Sequence, residues 1–362
     1  MVKAAVFVVP GDLATPTGGY AYDRRIIAEL SAAGWQTQVL DIGEGFPRPT
    51  AAARAVAHRR IAAFPDGPPI VIDGLAFGVL AREAQALADR LTLVALVHHP
   101  LALESGLSAQ EAAALRDSER AALACARHVI TTSASTARLL LADYGVAADR
   151  LSIVRPGTDR VAAQPRAPGA VVDLLAVGSV VPRKGYDILV AALARIPDLA
   201  WRLIIAGDRE RSAETAQRLD AEIARLGLSG RVIFAGAVAP QRLMALYAAA
   251  DLFVLPSRFE GYGMAYAEAI AHGVPVVGTR AGAIPDTVPA GAGVLVAPDD
   301  VDALATILRA LIESPGERQR LAAGARAAAA TFPSWQESAG LFARVLERVG
   351  HRPNPPPQAG EG

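Results

Sequence analysis

The sequence predicts an α/β protein made of two doubly wound, Rossmann-like domains, and three observations predict it. Short apolar, β-branched runs alternate with helix-length segments along the chain, the pattern of strands buried on both faces of a parallel sheet. Twelve such runs fall into two sets of six, separated by a stretch crowded with Pro156, Gly157, Pro165, Pro168 and Gly169 that reads as a linker. The 362 residues exceed one ordinary core and suit two domains of middling size.

The first set runs KAAVFVV, WQTQVLDI, PIVIDG, LTLVALV, HVITTS and LSIVR; the second runs VVDLLAVG, WRLIIAG, RVIFAG, LFVLP, PVVGT and GVLVA. Residues 1–165 are expected to form the first domain and 166–333 the second, with ligand sites at the carboxyl ends of the strands and a cleft where the two domains face each other. After the last strand, DDVDALATILRALIESP and GERQRLAAGARAAAATF read as amphipathic helices, with Asp299 or Asp300 as N-cap of the first. The helix expected over 334–350, with Ser334 as its cap, closes the chain and is expected to pack back near the first domain. The proline-rich segment 351–362 has almost no apolar side chains and is expected to be a disordered tail.

Thirty-six basic and 36 acidic side chains cancel, so no global charge draws the chain to nucleic acid or anionic lipid. Cys125 is the only cysteine, which excludes an intrachain disulfide and a thiolate zinc site and fits a reducing, cytoplasmic setting. The opening MVKAAVFVVPGDL has too short an apolar run for a signal peptide. Nothing in the sequence reaches the ~18 apolar residues of a spanning helix. One segment, ARAVAHRRIAAF, carries Arg54, His58, Arg59 and Arg60 among apolar residues. It reads either as a basic amphipathic helix for peripheral contact with the inner face of a membrane, or as a surface helix docked by its alanines. The GxGxxG, GxxxxGK[ST] and GxSxG patterns of nicotinamide enzymes, P-loop NTPases and α/β-hydrolases are missing from the places where those enzymes need them.

The richest chemistry lies in FEGYGMAYAEAIAHGVPVVGT. Here Glu260 precedes a turn of Gly261, Tyr262 and Gly263, Met264 opens a helix, and Glu268 follows about one turn inside it. A glycine turn leading into a helix presents backbone N–H groups at the positive end of the helix dipole, a site for phosphate. Carboxylates on either side accept hydrogen bonds from vicinal hydroxyls. Read alone, the pair fits a grip on a polar ligand and, about equally well, Glu260 as a dipole partner with Glu268 on a solvated helix face.

That run resembles the EGFG…EA.A.G.PVV signature, with its Glu-x7-Glu spacing, of the family 4 retaining nucleotide-sugar glycosyltransferases. Other segments resemble the family's in the same order: AVGSVVPRKGYDILVAAL, LIIAGD, RVIFAGAV, YAAADLFVLPS and the hinge-like VRPGTD. The resemblance implies the GT-B fold of two Rossmann-like domains. It implies a nucleotide-sugar donor, a hydroxylated acceptor (a glycan, a lipid-linked sugar or a small molecule), no nucleic acid, no further cofactor and no metal.

Residue by residue, the resemblance assigns Arg183 and Lys184 to the leaving diphosphate. Glu260 is assigned to the donor sugar, Glu268 to the ribose diol, and Gly261, Tyr262, Gly263 and Met264 to the donor's phosphate turn. Gly18 and Gly19, in PTGGYAYDRR between the first strand and its helix, match a loop that closes on the donor. His98 and His99 in LVHHP match a histidine near the anomeric carbon, and His98, nearer the strand, is the first choice. Asp299, Asp300 and Asp302 sit where a helix begins, so capping explains them better than a metal clamp. The expected activity is hexosyl transfer with retention; the alternatives are a nucleotide-sugar 2-epimerase of the same fold and a catalytically silent nucleotide-sugar-binding protein.

Overall fold

The computed structural model of the protein describes residues 3–104, 106–161 and 169–350. The predicted tail and linker residues Pro165 and Pro168 lie outside the described residues. The described residues divide into two compact units, one within 3–15, 19–156 and 335–350, the other within 16–18 and 157–334.

The first unit holds strands β1 (Ala4–Val9), β2 (Gln36–Asp41), β3 (Ile70–Asp73), β4 (Leu93–Val97), β5 (His128–Thr131) and β6 (Leu151–Ile153). They pair in parallel in the order β2-β1-β3-β4-β5-β6. From β1 the chain first goes to one side for β2 and then to the other for β3 onward, so the direction of winding switches between β1 and β3. The helix Trp335–Gly350 belongs to this unit, where Phe342 stacks on Phe7 at 5.9 Å and Lys3 pairs with Glu347 at 2.7 Å.

The second unit holds β7 (Val172–Val177), β8 (Trp201–Ala206), β9 (Val232–Gly236), β10 (Leu252–Val254), β11 (Val276–Thr279) and β12 (Gly293–Val296). Their order is β12-β11-β10-β7-β8-β9, again all parallel, with the switch between β7 and β10. Such a switch leaves a crevice at the strands' carboxyl ends, because the two flanking loops depart to opposite faces of the sheet.

The central strands are buried throughout, IVID of β3 and LVALV of β4 among them. Burial on both faces fails at the edges, and that part of the sequence reading is corrected: β2 is mostly exposed, with Val39 at its surface, and so is Ile233 of β9. An edge strand lacks a neighbour on one side, and its covering is correspondingly thin.

The helix Ala51–Ala62, which contains the basic ARAVAHRRIA run, is capped by Thr50 and buries only Ala57 and Ile61, while Arg54 reaches Glu83 at 3.4 Å. Among the described residues, no helix is long and apolar enough to cross a membrane.

Candidate functional site

The switch point of the second sheet gathers the basic pair and the first of the two glutamates. Beyond β7 the chain passes Gly178 and makes a single 3-10 turn, Pro182–Lys184, that ends on Gly185 with φ 69°. A Cβ on Gly185 would fall 2.2 Å from the carbonyl oxygen of Pro256, and one on Gly178 would fall 2.9 Å from the Lys184 side chain. Gly185 lets the basic turn lie directly against the segment that follows β10, and Gly178 leaves room for the Lys184 stem. The sequence shows the two glycines but not the atoms they must clear.

Lys184 Nζ donates to Glu260 Oε1 at 2.7 Å, and Arg183 Nη1 donates to Glu260 Oε2 at 3.1 Å and to the Phe259 carbonyl at 2.8 Å. Ser257 Oγ donates to Oε1 at 2.7 Å. Glu260 is buried, and both cations are about five-sixths shielded, with side-chain exposures of 17% and 14%. Burial alone would push the Glu260 carboxyl up; the Lys184 and Arg183 charges and their hydrogen bonds outweigh it and bring it down to about 2. The family resemblance implies that Glu260 binds sugar hydroxyls. The structure engages both its oxygens in holding the two cations. Glu260 thus orients two cations at the switch point, shielded enough for their charges to act strongly on an anion.

Gly263, with φ 89°, opens the helix Met264–Ala271 without a side-chain cap, an N-terminus that points its N–H groups outward. Gly282 clears the Glu260 carbonyl, to which a Cβ would come within 2.4 Å, and Ala283 N–H donates to that carbonyl at 2.8 Å. Tyr262 is buried, and its carbonyl accepts from Thr287 Oγ1 at 2.6 Å. Gly261 and Met264 are part-buried beside it. Glu268 stands apart from the basic pair and accepts from Tyr247 Oη at 2.9 Å; burial pushes its carboxyl up to about 7 despite that bond, with Asp159 adding to the rise. Asp300 caps its helix through the Ala303 N–H at 2.9 Å, and Asp299 binds Arg258 Nε at 2.7 Å. Asp302 pairs with Arg195.

A second cluster sits at the switch point of the first sheet. His98, just past β4, faces Asp23 Oδ1 at 3.1 Å and Asp73 Oδ2 at 3.6 Å through Nε2. His99 turns elsewhere, to Glu104 at 3.0 Å. Gly18 and Gly19 do not form a loop between strand and helix, as the sequence reading placed them; they are the first turn of the helix Gly18–Ala32. A Cβ on Gly19 would approach the His98 ring to 3.0 Å, so this glycine makes room for the imidazole, whereas Gly18 has nothing within 4 Å. Asp23 and Asp73 were missed in the sequence. The available signal for Asp73 was an acid closing the apolar strand IVID, while Asp23 resembles any helix acid. Asp23, Asp73 and His98 are also the described side chains whose ligand atoms, all within 4.8 Å of one another, could hold a metal ion.

Glu119, another residue missed in the sequence, fixes the segment after the histidines: its Oε2 accepts from the Leu101 N–H at 2.9 Å, in a buried setting that pushes the carboxyl up to about 8. The folded state therefore holds a proton that the unfolded chain releases above pH ~4.5. Its stabilising effect is complete below that value and is lost as pH rises to about 8. Glu119→Gln should therefore gain stability relative to the native chain by about 1.4 kcal/mol for each pH unit crossed in that window. Urea unfolding at pH 5 and pH 8 checks this, and a constant difference between variant and native chain would contradict it.

Two family models match. The one described as Glycosyltransferase Family 4 covers residues 36–161, and the one described as Glycosyl transferases group 1 covers 159–328. The chain is 30% identical over 326 residues to the MMP alpha-(1->4)-mannosyltransferase of Mycolicibacterium hassiacum, covering 84% of this chain and 76% of that enzyme. It is 34% identical over 251 residues to a D-inositol 3-phosphate glycosyltransferase of Xylanimonas cellulosilytica, where the match covers 65% of this chain and 60% of the relative. Among solved structures, sucrose-phosphate synthase from Thermosynechococcus elongatus superposes with a TM-score of 0.82 over 96% of this chain and 99% of the other. At 22% identity that likeness establishes the fold, GT-B.

Proposed function

This chain belongs to the family 4 glycosyltransferases, and from that premise we propose that it transfers a hexose from a UDP- or GDP-sugar to a hydroxylated acceptor with retention at the anomeric carbon. One observation carries the reading: Arg183 and Lys184, held by Glu260 at the switch point of the second sheet. A shielded pair of cations held in place side by side suits a nucleoside diphosphate, whose two phosphates gain negative charge as the sugar departs.

In this reading the pair stabilises the leaving group, so neither a metal ion nor a carboxylate nucleophile is needed. The N-terminus of Met264–Ala271 adds backbone donors for the phosphates, Glu268 takes the ribose diol, and His98 takes hydroxyl groups of the reacting sugar. The names of the two relatives favour a mannosyl group and a small polyol or saccharide acceptor. Diphosphate release from a panel of UDP- and GDP-hexoses, with and without polyol and saccharide acceptors and with EDTA present, tests the proposal. Release that depends on the acceptor, with the donor's anomeric configuration kept in the product by NMR, is expected. Epimerised donor formed without acceptor, or binding without turnover of any donor, would overturn it.

A further inference from the structure

Two carboxylates meet one imidazole nitrogen at the carboxyl ends of β3 and β4. Asp23 and Asp73 are 1% and 4% exposed, and both face His98 Nε2. A carboxylate can only accept, so the contact at 3.1 Å places the proton on Nε2. The rest of the ring is confined by Gly19, which leaves just enough space for Cδ2, and by the Tyr22 ring edge-on at 5.4 Å. Asp73 is itself fixed, because its Oδ1 accepts from the Leu75 N–H at 2.7 Å.

Asp23 Oδ2 is buried without a hydrogen-bond partner among the described residues, a costly state unless a proton lies between the two acids. Burial first, and the Asp23 charge second, push the Asp73 carboxyl up to about 7 against the pull of His98 and the Leu75 N–H. Asp73 can therefore supply that proton near neutral pH. The groups facing His98 are then Asp23 and Tyr22 from the helix and Asp73 from the strand end. Nδ1 makes no hydrogen bond with the described residues and is the nitrogen left for a ligand.

A merely structural cluster would need only one acid to satisfy Nε2. The second acid and the room made by Gly19 add control of the ring's tautomer and aim. We propose that Asp23 and Asp73 are positioning residues of the sugar-transfer reaction, fixing His98 as its Nε2–H tautomer so that Nδ1 faces the hydroxyl groups of the substrate. This rests on the transferase reading above.

The test reads the ring without any substrate. In the full chain labelled with 15N-histidine, long-range 1H–15N spectra above the ring's titration should show His98 protonated at Nε2, with His98→Asn identifying the signals. In Asp23→Asn and Asp73→Asn the titration midpoint of His98 should fall, because each replacement removes a neighbouring negative charge or its proton partner. Turnover should fall roughly tenfold to a hundredfold, as when a partner that orients a histidine is removed, with less change in the donor KM and with the pH–rate profile moving alongside the midpoint.

A native Nδ1–H tautomer would overturn the proposal, and this outcome does not depend on whether any variant folds. So would an unchanged midpoint and pH–rate profile in a folded Asp23→Asn chain. Movement of both ring nitrogens on adding Zn²⁺, with activity lost to EDTA and restored by the metal, would assign the cluster to an ion and overturn it equally. Absence of turnover with every donor would count against the transferase reading while leaving the spectra to judge the ring.

Discussion

Lys184→Ala is expected to lower turnover by about 10²- to 10³-fold, the scale on which removal of one well-placed electrostatic donor acts. Lys184 is shielded and aimed by Glu260 Oε1 at 2.7 Å, so its charge requires little reorganisation when a diphosphate departs. Because the negative charge grows during bond breaking, the loss should fall mainly on kcat. Lys184→Arg should recover little: the space above Gly178 fits a lysine stem, with Cε 2.9 Å from where a Cβ would lie, and a guanidinium is wider. Steady-state rates for the native chain and both variants check this. A Lys184→Ala enzyme within threefold of native turnover would remove the basic pair from the mechanism.

Glu260→Ala should have the largest effect on stability. It leaves Arg183 and Lys184 close together and mostly buried, with their shared counter-charge gone, and breaking a buried pair by deleting one partner costs roughly 3–5 kcal/mol. The same group sets an acid limit. Its folded carboxyl is brought down to about 2 from an ordinary value near 4.5, so its contribution is complete above ~4.5 and is lost as pH falls towards 2. Glu260→Gln keeps the shape and lacks the charge; its unfolding free energy should be lower at pH 7 and should converge on the native value in acid. Denaturant unfolding of the three chains at pH 7 and pH 3 decides, and a Glu260→Ala chain within ~1 kcal/mol of native at pH 7 would show that the cations do not depend on it.

The two sheets were legible because a strand buried on both faces writes a continuous apolar run, as in LVALV and VDLLAV. Edge strands such as QTQVLD were placed correctly but read as too buried, since sequence does not show which strand lacks a neighbour. The basic pair and both glutamates stand out in the sequence by spacing and resemblance. Their bonding does not, because Lys184 and Glu260 are 76 residues apart in the chain and meet only where β7 and β10 lie side by side. Asp23 and Asp73 escaped for the same reason: 75 residues separate Asp23 from His98, and the acid that closes IVID does not show in sequence which side chain it will meet. Gly19 was singled out for a ligand, and the structure gives its space to an imidazole ring.

The claim on which the mechanism turns is that Arg183 and Lys184 bind the diphosphate of the donor. Calorimetric titration of UDP and GDP, beside uridine and guanosine, into the native chain and Lys184→Ala tests it most directly. In the native chain one diphosphate should bind much more tightly than its nucleoside, and the substitution should erase most of that difference while leaving nucleoside binding unchanged. Equal diphosphate affinity in the two chains would contradict it.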